Sequence, residues 1–222
     1  MKLLKITFSL SVLSLLGACA TPVAQFDYTN YHKSNPASIL VLPPVNNSPD
    51  TKATYGFLST ATEPLAEAGY YVFPVAIVDQ AFKENGLQNP PEMHQAPLNK
   101  LREIFGADAV LYISIENYGP VYKVISSDVV VTANAKLVDS KTGDLLWSGT
   151  ATASSAETDS GSNNYGIAGL LVKAIAKQIV SSVVDQGHDI SRITSSRLLS
   201  PKYNGLLYGP RSPLYQKDEQ KK

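Results

Sequence analysis

Ala109-Val-Leu-Tyr-Ile-Ser-Ile115 is the stretch of this 222-residue chain that decides the fold. Its apolar residues run almost without interruption, which is typical of a strand in the middle of a sheet. Gly106 lies just before it and is suited to end a preceding helix. We therefore predict a central strand here, with the other elements arranged around it.

An antiparallel meander is predicted after this strand. In residues 121–138, apolar residues at every second position alternate with a largely polar row, as in a strand with one wetted face. Asp139-Ser-Lys-Thr-Gly143-Asp144 predicts a hairpin turn in which Gly143 has a positive φ. Residues 145–153 then return as the partner strand.

Strands and a helix alternate before the central strand. Ser38-Ile-Leu-Val-Leu42 predicts a second buried strand and Tyr70-Tyr-Val-Phe73 a third. Between them, Ser48-Pro49 is suited to an N-cap followed by proline at the first helical position. Pro64 should kink or split this helix, because it removes a backbone hydrogen bond, and Gly69 can end it.

Three further helices are predicted, over residues 75–86, 97–106 and 167–184. The last is almost wholly apolar apart from one polar stripe, but the lysines in its middle argue against a membrane span. Such a helix is usually covered on both sides, here by the sheet on one side and by the chain's own tail or a second subunit on the other. Leu171 and Ile175 on it are therefore candidate dimer-interface residues.

The N-terminus has the pattern of a lipoprotein signal peptide. Lys2 and Lys5 precede an apolar stretch of about a dozen residues, too short to cross a bilayer. Leu16-Gly-Ala-Cys19 follows as a lipobox, so we expect residues 1–18 to be removed and lipid to be attached to Cys19. Three acyl chains would make that anchor permanent. The alternative is an ordinary secretory signal with an incidental cysteine.

The residues after Cys19 predict its location and a tether. Ala20 is not aspartate, and by resemblance to bacterial sorting rules this directs a lipoprotein to the outer membrane, mostly facing the periplasm, with surface exposure left open. Residues 19–36 are expected to be a flexible lipidated tether. In the alternative interpretation, aromatic side chains of its second half pack on the domain, namely Phe26, Tyr28 and Tyr31.

A single domain is expected over residues 37–195, followed by an irregular tail over residues 196–222. The tail is rich in tyrosine, glycine and proline but carries more apolar residues than disordered segments usually do. It should therefore dock, either on its own domain or on another protein. Leu206 and Tyr208 in this tail are candidate partner or dimer-interface residues.

Composition argues against several classes of function. Without its signal peptide the chain is slightly acidic, so no electrostatic case for nucleic-acid binding exists. The only cysteine is the one predicted to be lipidated, so no disulfide is expected. The three histidines, at 32, 94 and 188, lack ligand spacing, and no P-loop or dinucleotide fingerprint is present. We predict no metal and no cofactor.

No catalytic residues are predicted. The best constellation is His188-Asp189 with Ser182 or Ser191, and it is more simply explained as the solvent-facing end of a helix. Glu63 and Glu67, one helical turn apart, are more simply a solvated helix face than a pair of carboxylates for glycoside cleavage. The chain is therefore predicted not to be an enzyme.

A specific combination of short stretches covers nearly the whole mature chain. These are Ser38-Ile-Leu-Val-Leu-Pro-Pro44, Asn47-Ser-Pro-Asp50, Lys52-Ala-Thr-Tyr55, Pro64-Leu-Ala-Glu-Ala-Gly-Tyr-Tyr71, Lys100-Leu-Arg-Glu-Ile-Phe-Gly-Ala-Asp108, Ser196-Arg-Leu-Leu-Ser-Pro201 and Leu207-Tyr-Gly-Pro-Arg-Ser-Pro213. Together they resemble a family of uncharacterised bacterial lipoproteins whose best-known member is a genome-derived vaccine antigen.

This resemblance implies an α/β (mixed α+β) single domain, with a central mixed sheet flanked by helices and an antiparallel hairpin. The implied fold is similar to the N-terminal domain of TolB and to the periplasmic part of curli-type secretion lipoproteins. The resemblance also implies a homodimer and an accessory role in an envelope transport or assembly system. It supplies no catalytic residues.

Two functions remain open. In the first, the protein is a membrane-anchored, non-enzymatic interaction or structural subunit of a cell-envelope transport or assembly complex, with other envelope proteins as partners. In the alternative, it is a periplasmic protein or enzyme that binds a small glycan or lipid ligand. The alternative requires a pocket with convergent polar groups, for which Tyr112, Tyr118 and Tyr122 are the candidate lining.

Overall fold

A mixed sheet lies at the centre of the fold in the computed structural model, which describes residues 26–122, 127–158, 186–202 and 205–217. The predicted signal peptide, Cys19 and the predicted helix that carries Leu171 and Ile175 lie outside these residues. Within them, no helix has the length and apolar character needed to cross a membrane.

The strands confirm the predicted mixed sheet. They are β1 (Ser38–Val41), β2 (Val45–Asn46), β3 (Tyr71–Val72), β4 (Ala109–Tyr122), β5 (Ser127–Asp139) and β6 (Leu145–Ser154). Their order is β3-β1-β4-β5-β6, with β2 also paired to β4. β1 runs parallel to β3 and β4, whereas β5 runs antiparallel to β4 and β6. The predicted central strand, residues 109–115, is the first half of β4, and the predicted antiparallel pair is β5-β6. Residues 121–122, which were predicted to begin the next strand, instead end β4, so the central strand also forms a hairpin with β5.

Helices cover one face of this sheet and part of the other. They are α1 (Thr29–Ser34), α2 (Ala53–Glu67), α3 (Val75–Glu84), α4 (Pro90–Met93), α5 (Leu98–Phe105), α6 (Ser155–Thr158) and α7 (Gln186–Leu199). The larger core lies between the sheet and α2 and α7, with Phe57, Trp147 and Leu199 among its buried side chains. A smaller core on the other face joins β1 and β4 to α3, α4 and α5.

Helix α2 differs from its prediction at both of its prolines. It begins at Ala53 rather than at Pro49, because the Asn46 side chain accepts hydrogen bonds from the amide and hydroxyl of Ser48 and holds this segment in a turn. Pro64 lies inside α2 without splitting it. The predicted end is confirmed, since Gly69 follows the helix with φ +94°.

Helix α7 was not predicted, and its last residues belong to the segment that was expected to be irregular. It is polar in sequence, yet Ser191, Thr194 and Ser195 on it are buried. Their hydroxyls donate to backbone carbonyls, at 2.7 Å from Ser191 to Gly187 and at 3.0 Å from Ser195 to Thr60. Backbone acceptors therefore allow this polar helix face to lie in the core.

The two terminal segments, residues 26–36 and 205–217, pack on the larger core and on each other. The hydroxyl of Tyr28 donates to the Gly205 carbonyl at 2.6 Å, and that of Tyr70 donates to the Leu207 carbonyl at 2.5 Å. Tyr31, which also hydrogen-bonds Tyr70, is buried beside them. Of the two interpretations of residues 26–36, packing on the domain is the one observed.

The tail residues that were candidates for a partner surface lie in this packed region. Leu206 is completely buried and Tyr208 is half-buried. Leu206 therefore belongs to the domain's own core, which corrects its assignment to an exposed partner surface. The tail docks on its own domain because its apolar side chains complete the core.

Candidate binding groove

An apolar groove of about 430 Å³ lies between α3, α5 and the segment that joins them. Phe82, Leu101 and Phe105 line it from the two helices, and Leu87 lines it from the connecting segment. Its volume lies in the range of small-molecule sites. The groove is therefore large enough to hold a ligand.

Local sequence explains why a gap remains between α3 and α5. Val78 and Phe82, four residues apart on α3, are both buried against the sheet, as is Leu101 of α5. Gly86 and Gly106 follow the two helices with φ of +86° and +68°, so each helix ends sharply and the chain turns away. The groove lies above the smaller core, between two anchored helices.

Aromatic packing fixes one wall of the groove. The ring centroid of Phe105 lies 6.1 Å from that of Phe82 and 6.3 Å from that of Phe73. These separations are typical of favourable aromatic contacts. Ile104, by contrast, leaves 58% of its surface exposed beside them. The wall is thus preformed, and it presents apolar surface to solvent.

Charged side chains of both signs and neutral polar side chains lie at the edge of the groove. Glu92 and Lys100 supply one negative and one positive charge, and Asn85 and Gln95 supply carboxamides. Lys100 Nζ lies 2.8 Å from the Glu103 carboxylate, in an exposed ion pair of the kind that contributes little stability. This arrangement is suited to binding an apolar group and orienting a polar end, and it contains no assembled nucleophile and base.

The tyrosines predicted to line a pocket do not converge, so that prediction is wrong. A register irregularity between Ile115 and Asn117 moves Tyr118 to the face that packs on α2 and α7, whereas Tyr112 packs on His94 on the other face. Tyr122 is 82% exposed at the end of the β4–β5 hairpin. The bulge was not visible in the apolar pattern, which is why the three residues seemed to belong together.

The candidate catalytic residues do not form a site in the described part of the chain. Ser191 is buried with its hydroxyl bound to a backbone carbonyl of its own helix, whereas Asp189 is exposed. Ser182 lies outside the described residues. Glu63 and Glu67 are exposed on α2, as predicted. Among the described residues, no three potential metal ligands lie together.

His94 has a structural environment. Its Nε2 lies 2.9 Å from the Pro43 carbonyl, and its ring packs edge-on against Tyr112 at 5.3 Å. Burial lowers the pKa of His94 below its ordinary value, although the hydrogen bond to Pro43 opposes this shift. The histidine is therefore held neutral, linking α4 to the end of β1.

A polar cluster on the open face of the sheet was missed by sequence reasoning. Glu116 accepts hydrogen bonds from Ser114 Oγ at 2.9 Å, Asn47 Nδ2 at 3.2 Å and Asn134 Nδ2 at 3.0 Å, and these bonds lower the pKa of its carboxyl group. The cluster ties β2, β4 and β5 together on a solvated surface. Its alternating polar positions were visible, but its pairing depends on the register of β4 and β5.

The groove was also missed, although its signals were present in the sequence. The connecting segment contains three apolar residues that line the groove, Leu87, Ala96 and Pro97. On α5, Ile104 is apolar although it lies outside the buried side of the helix. An excess of apolar residues around a loop is the pattern that would have indicated a concave surface.

A mixed α+β domain that follows a predicted lipobox is the arrangement expected of a bacterial lipoprotein. The chain belongs to the family described as "Putative lipoprotein GNA1162-like", whose model matches residues 26–211, so the resemblance found in the sequence is confirmed. It is similar to "Putative lipoprotein NMB1124/NMB1162" of Neisseria meningitidis serogroup B (strain ATCC BAA-335 / MC58), at 47% identity over 204 residues, which cover 91% of this chain and 94% of the relative.

A solved structure of a relative agrees with this assignment. The crystal structure of lipoprotein GNA1162 from Neisseria meningitidis is 48% identical, with a TM-score of 0.51, and the match covers 66% of this chain and 99% of that one. The PelC dodecamer from Paraburkholderia phytofirmans is 14% identical, with a TM-score of 0.44, over 82% of this chain and 96% of that one.

Proposed function

We propose that this protein is a lipid-anchored, non-enzymatic subunit that binds other proteins of a cell-envelope transport or assembly complex. One observation carries the proposal: large apolar side chains remain exposed at the end of a long hairpin. Val121 is 40% exposed and Tyr122 is 82% exposed, beside the last pair of the β4–β5 ladder, Tyr122 with Ser127. Aromatic residues are enriched in protein interfaces, so this end is suited to contact a partner.

The positions and hydrogen bonds of the polar side chains support a non-enzymatic function. The Ser191 hydroxyl, which was considered for chemistry, donates to a backbone carbonyl in the core, and the exposed carboxylates of Glu63 and Glu67 lie on a helix face. The groove that could hold a ligand is lined mainly by hydrocarbon. A subunit that binds and positions partners requires none of the groups that a catalyst requires.

The anchor and the location are part of the proposal. Cys19 would carry palmitate or a similar acyl chain, and Ala20 would direct the protein to the outer membrane with its body mainly in the periplasm. A homodimer through Leu171 and Ile175 also remains a prediction. The lipoprotein family supports the anchor.

The anchor is tested by labelling cells with palmitate and determining the mass of the mature N-terminus. We expect incorporation of label and a chain that begins at a lipidated Cys19, and both should be abolished by Cys19→Ser. An unlabelled wild-type chain, or cleavage at another residue, would contradict the anchor.

The partner surface is tested with a photocrosslinking amino acid at position 122 of the full chain in intact cells. A matched control has the same amino acid at position 136, because Lys136 is also exposed on this hairpin but lies far from its end. We expect discrete adducts with other envelope proteins at position 122 and not at 136. Adducts at twice the chain's mass would indicate the homodimer, and uncrosslinked monomer at both positions would refute the interaction function.

A second candidate function is the binding of a small apolar ligand. The groove between α3 and α5 favours it, because its volume and lining are those of a ligand site. Tyr112, Tyr118 and Tyr122 no longer support this alternative, since they lie on different surfaces.

A further inference from the structure

We infer that the groove between α3 and α5 binds the acyl chain of a single-chain lipid with a zwitterionic head group. The groove lies over the start of β4, whereas the proposed partner surface lies at the other end of that strand. The two sites are therefore separate, and failure of one proposal leaves the other standing.

The lining determines that the buried part of the ligand is hydrocarbon. Phe82, Leu101 and Phe105 present rings and methyl groups, and Ala81 and Pro97 add further apolar surface. A glycan or a peptide backbone would lose hydrogen bonds to water there without gaining replacements. An acyl chain has no such groups to satisfy, so it is the occupant that this lining fits.

The volume sets the length of the chain. A methylene group occupies about as much space as a water molecule, ~30 Å³. A groove of about 430 Å³ therefore accommodates roughly 14 carbons in one chain and cannot bury two chains of that length. A single-chain lipid is thus a better fit than a two-chain phospholipid.

The charges at the edge select the head group. Glu92 and Lys100 supply opposite charges there, and the ion pair of Lys100 with Glu103 is exposed and therefore weak enough to be exchanged for a ligand's anion. The Asn85 and Gln95 side chains donate to the Ala81 and Pro91 carbonyls, which leaves their amide oxygens as acceptors. A zwitterion places its cationic group towards Glu92 and its phosphate towards Lys100. A simple anionic fatty acid would satisfy only the lysine.

Exposed apolar residues extend the same surface. Ile104 of α5 is 58% exposed and Ile77 of α3 is 60% exposed. Ile77 lies one helical turn before Ala81, which lines the groove, so both share a face of α3. A bound chain would remove part of this surface from water. A partner helix is less suited, because α5 has only eight residues and is about 12 Å long.

The test uses the full mature lipidated chain in phosphatidylcholine vesicles that contain a trace of single-chain phosphatidylcholine with a diazirine at the end of a 14-carbon acyl chain. After illumination, we expect the label on peptides from α3 and α5. Ile104→Glu should reduce labelling there at least tenfold, because a carboxylate would be desolvated at the wall. Leu145→Glu is the matched control, since Leu145 is also exposed but lies on β6, and it should leave labelling unchanged.

Competition by unlabelled single-chain phosphatidylcholines gives a second readout. Affinity should rise two- to fourfold for each added methylene up to roughly 14 carbons and then level off. A fatty acid of equal length should compete at least fivefold more weakly. Label spread over the whole surface, labelling that Ile104→Glu does not change, or the absence of a length limit would overturn the inference.

Ala81→Phe guards against loss of fold as the cause of lost labelling. Ala81 is half-buried at the groove, so a larger side chain would fill the space while the helix remains intact. Loss of labelling in a variant with an unchanged unfolding midpoint supports a filled site. Protein crosslinks from position 104, with no lipid label, would assign the groove to a partner protein and refute the lipid.

Discussion

Leu206→Ala measures whether the C-terminal segment is part of the domain's core. The Leu206 side chain is completely buried, whereas that of Leu214, eight residues later, is 46% exposed. The same substitution at both positions therefore removes the same atoms from two environments. Truncation of Leu206 loses about three buried carbon groups at ~0.8 kcal/mol each, and the remaining cavity raises the cost to about 3 kcal/mol. Leu214→Ala should change stability by less than about 0.5 kcal/mol.

Urea unfolding at neutral pH is the assay. With a slope of about 2 kcal/mol/M, the Leu206→Ala midpoint should fall by roughly 1.5 M and the Leu214→Ala midpoint should hardly move. The shift should not depend on protein concentration, because the contacts of Leu206 are within one chain. Equal midpoints for the two variants would refute this packing and would return Leu206 to the candidates for a partner surface.

Two further predictions concern a glycine pair and a histidine. Gly69→Ala should destabilise the protein by at least about 2 kcal/mol more than Gly86→Ala in the same assay. Both residues have a positive φ, which costs alanine roughly 1–2 kcal/mol at either position. Only at Gly69 would the added Cβ also lie 2.4 Å from the Ser212 amide nitrogen. A similar decrease in the free energy of unfolding for both variants would show that the tail does not contact Gly69 closely. Because burial lowers the pKa of His94, the unfolded chain binds the proton more tightly, and stability should fall as pH drops below about 6.5, by at most ~1.4 kcal/mol per pH unit. His94→Gln should flatten this decline between pH 7.5 and 5.5, and an unchanged slope would contradict the assignment.

The sequence predicted those elements whose pattern depends on local chemistry. The apolar run before Pro43, the alternation through β5 and the turn at Gly143, which has φ +79°, were all visible because each follows from periodicity or from one residue's backbone freedom. Helix α7 was not visible, because Ser191 and Thr194 are polar in sequence but buried in the fold. The Ser191 hydroxyl donates to the Gly187 carbonyl of the same helix, and that of Thr194 donates to Ile190 in the helix and to Val131 in β5. The hydroxyls are therefore satisfied largely within the helix, but which face of it is buried depends on tertiary structure.

The candidate sites depended still more on tertiary structure. The bulge after Ile115 separates Tyr112 from Tyr118, and a one-residue irregularity of this kind leaves the hydrophobic pattern nearly unchanged while it reverses which face a side chain occupies. The apolar residues of the groove were visible in the sequence, but the groove itself arises from how α3, α5 and the segment between them pack on the sheet. Sequence reasoning therefore identified the scaffold and missed its concave surface.

The packing of Tyr28 and Tyr31 on the domain changes how far the body of the protein could stand from a membrane. Only seven peptide steps separate Cys19 from Phe26, a reach of about 25 Å even when fully stretched, less than half of what a tether over residues 19–36 would allow. A protein anchored through so short a linker would stay within a thin layer beside the bilayer. Anything it meets must come into that layer, and insertion of ten flexible residues before Phe26 would widen it without touching the fold.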